Sequence, residues 1–257
     1  MTTCVYRARM ALGLAVAFLA TLYAVPLQAQ SDRMALVLGN GRYLHTPPLA
    51  NPTNDAREVA KALCAIGFDV LQRTDLNRAS MAQGIAAFFI SASSARVVLL
   101  FYAGHGIQIA GRNYMVPVDA SLDTADAVTS ELIEVDSMVS NLDSVARANI
   151  VILDACRDNP LARKLATTLG TSRSMTVQSG FAAYSPTNIT SVYMGTGVLI
   201  AFSTAPGTVA LDGIGSNSPF TTALINHLNK PGLEVRQMLT RVRAEVALFV
   251  LHVEGQR

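Results

Sequence analysis

The chain has 257 residues, of which 51% are apolar and 15% charged, and its formal net charge is +2. That length supports one sizeable domain with a real hydrophobic core. So small a net charge supplies no basic surface for nucleic acid or for an anionic membrane, and any partner has to be found from local motifs.

Residues 1–29 read as an export signal. Arg7 and Arg9 form a basic start, Met10 to Val25 is an uncharged apolar run, and Pro26-Leu27-Gln28-Ala29 offers a cleavage region. The run is about 16 residues, short of the roughly 20 that a spanning helix needs. Cleaved, it leaves a domain over 30–250 that is exported, periplasmic or secreted; retained, it makes an N-terminal anchor, and only then is membrane contact expected. Two cysteines follow this segment, Cys64 and Cys156. They are too few for a disulfide framework, so each needs its own explanation. Cys64 lies among Val59, Leu63 and Ile66 at helical spacing and reads as a small core residue.

Arg33 to Leu38 reads as a strand ending at Gly39-Asn40-Gly41. Asn51 to Ile66 carries helix-start residues and an apolar face, and Gly67 stops it. Phe68 to Leu71 is a second strand and Asn77 to Ser91 a second helix. Arg96 to Tyr102 is a continuous apolar run, the signature of a strand buried on both faces, and Gly104-His105-Gly106 is read as its break. Gly111 to Val118 suggests a hairpin arm and Leu132 to Ala146 a helix. Ile150 to Leu153 is another fully buried strand. Arg157 to Gly195, rich in Ser, Thr and Asn and without a sustained period, reads as a long surface connection. Val198 to Phe202 is a further strand, and helices over Pro219 to Leu228 and Leu233 to about Val250 close the chain. Strands alternating with helices predict a mostly parallel sheet covered on both faces.

Two chemically capable residues, His105 and Cys156, follow the two most strongly buried strands. In open α/β sheets the carboxyl edge is where ligands gather. A thiol attacks only as thiolate, so it needs an imidazole or another positive influence nearby, and the attacked carbonyl needs N–H donors for its developing charge. Gly104 and Gly106 let the backbone around His105 approach a substrate closely. His45, His227 and His252 lack such a context and read as surface or packing histidines.

FYAGHG (Phe101 to Gly106), LDACRDNP (Leu153 to Pro160), TNDAREVAKAL (Thr53 to Leu63) and AFSTAPG (Ala201 to Gly207) resemble, in order, the motifs of the caspase and metacaspase superfamily, in particular the caspase-like cysteine proteases of bacteria. The resemblance covers roughly Arg33 to Val246; the end, ALFVLHVEGQR, matches nothing comparable. DACRD departs from the Gln-Ala-Cys-(Arg/Gln/Gly)-Gly of animal caspases.

The resemblance implies a three-layer α/β/α sandwich around a mostly parallel sheet. A large-subunit-like part would run to about 160, a connection over 157–195, and a small-subunit-like part from about 198. It implies Cys156 as nucleophile, His105 as its acid and base partner, and the backbone amides of Gly106 and Cys156 as the oxyanion hole. Ser203, Thr204 and Ala205 would line a groove in which an extended peptide or protein substrate adds as a strand. Metacaspases and paracaspases place acids equivalent to Asp55 and Asp154 in the first specificity pocket, where they bind Arg or Lys. The position matching the arginine with which animal caspases hold a substrate aspartate is Asp212.

No cofactor is required by the sequence. Some metacaspase relatives are calcium-activated, but the spacing of Asp119, Asp123 and Asp126 is not that of an EF-hand. Zinc, serine-hydrolase, P-loop and dinucleotide motifs are absent. The rival reading is a catalytically idle caspase-like domain that binds partners, against which intact His105 and Cys156 weigh. Arg163, Lys164 and Arg173 in the connection are expected sites of self-cleavage.

Overall fold

The structure is a computed structural model that describes residues 31–124, 126–143, 148–156, 160–168, 177–179, 197–203 and 215–254. The export segment, Thr204, Ala205 and Arg173 lie outside the described residues. The elements in chain order are β1 (Arg33–Gly39), α1 (Pro52–Ala65), β2 (Asp69–Thr74), α2 (Arg78–Ser91), β3 (Val97–Ile109), β4 (Arg112–Met115), α3 (Ala127–Glu131), β5 (Ile133–Glu134), α4 (Val135–Asp143), β6 (Ala148–Cys156), α5 (Pro160–Thr168), β7 (Val177–Ser179), β8 (Gly197–Phe202), α6 (Pro219–Leu228) and α7 (Val235–Glu254). Among the described residues no helix is long and apolar enough to cross a membrane.

The strands β2-β1-β3-β6-β8 pair side by side, every pair parallel. Strand residues alternate between faces, which divides the core in two. Leu36, Leu38, Val98, Leu100, Val151 and Leu153 pack with α2 and α4. Val37, Leu99, Phe101 and Ile152 pack with α1, α6 and α7 on the opposite face. The result is the expected α/β/α sandwich around a mostly parallel sheet, and burial on both faces is why β1, β3 and β6 read as unbroken apolar runs.

Several boundaries differ from those expected. β3 does not stop at Gly104-His105-Gly106 but runs through it to Ile109. Its first part pairs with β1 and β6, and its second part forms an antiparallel arm with β4 and β7. Ladder bonds to neighbours remote in sequence hold the strand where two glycines alone would end it. β2 extends to Thr74 through Gln72 and Arg73, polar residues that hid its length. Within the helix expected over 132–146, Ile133–Glu134 form the short strand β5 and the described helix α4 begins only at Val135, while α3 precedes the expected range.

The connection after Cys156 carries regular structure, contrary to expectation. In α5, Leu161, Ala162 and Leu165 are buried against Ile107, Ile109 and Leu122. One and a half turns of apolar contact are too short a pattern to reveal a helix in the sequence. Lys164 pairs with Asp123 and donates to the Ser121 carbonyl at 2.9 Å. Arg163 and Lys164 are thus helical, whereas a protease groove takes an extended strand.

At the other end of the chain, α7 buries Met238 and Val242, and Asn226 and His227 of α6 reach Glu245 at 2.7 and 2.9 Å. These contacts dock the last helix on α6. His227 is a packing residue and His45 is exposed; Cys64 is half-buried against the core.

Candidate active site

Every rung of the β3–β6 ladder joins residues 51 apart in sequence, from Val97 opposite Ala148 to His105 opposite Cys156. The 51-residue separation of His105 and Cys156 is therefore the offset of two in-register parallel strands. Neighbouring strands lie about 4.8 Å apart, so the two backbones are first neighbours at the carboxyl edge of the sheet.

Two tyrosines clamp the backbone of His105. Its N–H donates to the Tyr43 hydroxyl at 2.7 Å, and its carbonyl accepts from the Tyr102 hydroxyl at 2.7 Å and from the Val116 N–H at 3.1 Å. The Tyr43 ring lies 4.4 Å from the imidazole, tilted by 45°. His105 is only 2% exposed. Buried hydroxyls with fixed partners hold a backbone more tightly than water would, so the backbone carrying the imidazole is fixed while the Tyr43 ring packs against the imidazole itself.

Gly104 makes this clamp possible. Its φ is +151°, and a β-carbon there would lie 2.7 Å from both tyrosine hydroxyls. Gly104→Ala is expected to displace one of them and to destabilise the protein by about 2–4 kcal/mol, from overpacking and backbone strain together. Chemical denaturation of the two proteins checks this; an unchanged midpoint would show that the tyrosines yield freely.

Gly106 follows His105 in β3 and pairs with Met115 of β4. Ser203 lies just past β8, where its N–H donates to the Leu153 carbonyl at 3.0 Å and continues the strand pairing toward the same edge.

Asp55 and Asp154 come from different elements, α1 and β6, and are 2% and 7% exposed. Asp55 Oδ1 accepts from the Asn217 side chain at 2.8 Å and from the Ser218 N–H at 3.0 Å. Asp154 Oδ2 accepts from Ser218 Oγ at 2.5 Å and from Thr221 Oγ1 at 3.1 Å. The two acids meet on one residue, Ser218, at the N-terminus of α6. Two negative groups with little exposure are tolerable because donors and the positive helix end offset their lost hydration.

Sequence reasoning missed Tyr43, Tyr102, Asn217, Ser218 and Thr221. Only Ser218 carried a signal, a serine before a proline that starts a helix, and that signal concerns the cap rather than the acids.

Asp119, Asp123 and Asp126 do not converge on a cation. Asp119 accepts from the Arg78 N–H at 2.8 Å, and the hydrogen bond from Lys164 holds the Asp123 carboxyl below its usual range. No group of three or more His, Cys, Asp or Glu residues able to hold a metal ion occurs among the described residues. Among the described residues, these three aspartates do not form a calcium site.

A family model described as the caspase domain matches residues 32–256. It runs past Val246, where the motif resemblance had faded. The human mucosa-associated lymphoid tissue lymphoma translocation protein 1 (Homo sapiens) and its mouse homologue (Mus musculus) are each 36% identical to this chain over 89 residues. That stretch is 35% of this chain and 11% of either relative, so the chain matches only a small part of their length.

Proposed function

The chain belongs to the caspase-domain family, and from that premise we propose that it is a cysteine endopeptidase in which Cys156 and His105 form the catalytic dyad, cleaving after Arg or Lys. The observation that carries the reading is the shared rung of His105 and Cys156 at the carboxyl edge of the sheet.

In this reading the Cys156 thiol gives its proton to the imidazole of His105, and the thiolate attacks the scissile carbonyl. The N–H groups of Gly106 and Cys156 receive the oxyanion. As the carbon–nitrogen bond breaks, the imidazolium protonates the departing amine, leaving a thioester on Cys156. His105 then takes a proton from water, whose oxygen attacks the thioester, and the carboxyl product leaves as the thiol regains its proton. The tyrosine clamp holds the backbone of His105, and the Tyr43 ring packs on its imidazole, through both proton transfers; the proposed chemistry calls on no cofactor.

The substrate is a peptide or protein segment laid in extended form beside Ser203 to Ala205, with its basic side chain directed to Asp55 and Asp154. A charged guanidinium between two carboxylates gains charge-assisted hydrogen bonds, whereas a substrate aspartate would meet like charge. If the export segment functions as read, this chemistry takes place outside the cytoplasm.

A peptidyl ketone probe with Arg in the first position and a thiol-reactive leaving group tests the proposal on the wild-type chain. Covalent labelling is expected, mapped by peptide mass to Cys156, and the matched Asp probe is expected to label far more slowly. Absence of labelling with a folded protein would overturn the reading in favour of a binding-only domain.

A further inference from the structure

We infer that Ser218, assisted by Thr221, is the positioning residue that sets the two acids as a single receptor for a basic side chain; this rests on the specificity reading above. Ser218 reaches both acids through different atoms. Its backbone N–H donates to Asp55 at 3.0 Å, and its hydroxyl donates to Asp154 at 2.5 Å. The hydroxyl oxygen in turn accepts from the Thr221 N–H at 2.9 Å. A hydroxyl has one proton, and with its oxygen engaged by a helix N–H that proton is directed to the carboxylate.

Thr221 repeats the device, because its own hydroxyl donates to the same oxygen, Asp154 Oδ2, at 3.1 Å. Thr221 is fully buried and Ser218 is 6% exposed. Both donors on Asp154 therefore act with little competition from water, where a charged hydrogen bond is strong.

An N-cap serine needs only to accept from its own helix. Here the cap also bridges an acid on α1 and an acid on β6, residues 163 and 64 positions away in sequence. The bridge fixes the spacing of the acids. A guanidinium binds best where two carboxylates are held in one arrangement before it arrives.

The test is kcat and KM for matched peptides carrying Arg or citrulline, a neutral isostere of Arg, before the scissile bond, measured on the full chain. Ser218→Ala is expected to lower the Arg-to-citrulline ratio of kcat/KM by about 10-fold or more, chiefly through KM for the Arg peptide. Ser218→Thr, which keeps the hydroxyl, is expected to recover most of the ratio. Thr221→Val keeps the helix N–H and the side-chain shape while removing one donor, so it is expected to lower the ratio by about 3-fold; it also serves if Ser218→Ala fails to fold. Equal losses for both peptides would reduce Ser218 to a helix cap and overturn the inference while leaving the specificity reading standing. A wild-type ratio near one, or no cleavage at all, would overturn the specificity reading and the inference with it.

Discussion

Cys156→Ala is expected to lower kcat/KM for an Arg peptide by about 10⁴-fold or more, with little change in thermal midpoint. In the proposed mechanism the substitution removes the atom that bonds covalently to the substrate, and it alters the chain by a single sulfur. His105→Ala should lose activity to a similar degree but also remove the ring packed against Tyr43, so its stability is expected to fall as well. Residues that act as one unit are strongly non-additive, and the double variant should be scarcely less active than either single one. Rates for the four proteins, read alongside their melting curves, check all of this. Substantial cleavage by purified Cys156→Ala would remove the thiol from the mechanism.

Asp154 is expected to show the second largest effect, and comparing two substitutions separates its charge from its structural bonds. Asp154→Asn keeps an acceptor oxygen for Ser218 and Thr221 but removes the charge. It should lower kcat/KM for Arg peptides by about 10²-fold, the scale of a lost charge-assisted contact, with a modest loss of stability. Asp154→Ala removes the acceptor as well and leaves two buried hydroxyl donors without it. That variant should be less stable than wild type by about 2–5 kcal/mol, in addition to losing Arg cleavage. Kinetics with Arg and citrulline peptides and denaturation midpoints distinguish the two effects. An Arg preference that survives in Asp154→Asn would take this acid out of the specificity pocket, even if the Ala variant proves unstable.

Much of the architecture was legible because the central strands are buried on both faces. β1, β3 and β6 left unbroken apolar runs, α1 left start and stop residues, and α2, α6 and α7 were expected between or after the strands, so the alternating order that builds a parallel sheet could be read directly. The candidate pair was legible for a related reason: His105 and Cys156 each end such a run, in motifs that resemble those of one superfamily. Their spacing of 51 residues became meaningful only with the register, which makes it the constant offset of the β3–β6 ladder.

The tertiary structure decided what depends on partners distant in the chain. Gly104 looked like a strand break, yet ladder bonds to β6 carry β3 through it, and the missing side chain instead makes room for Tyr43 and Tyr102. α5 was hidden because its apolar face is short, and it is stabilised by packing under the antiparallel arm rather than by its own pattern. Asp55 and Asp154 were identifiable as acids, but nothing local announces that Ser218 joins them. A hydrogen bond between residues 163 positions apart has no period, spacing or propensity to betray it, because it exists only once the sheet and helices have brought its ends together.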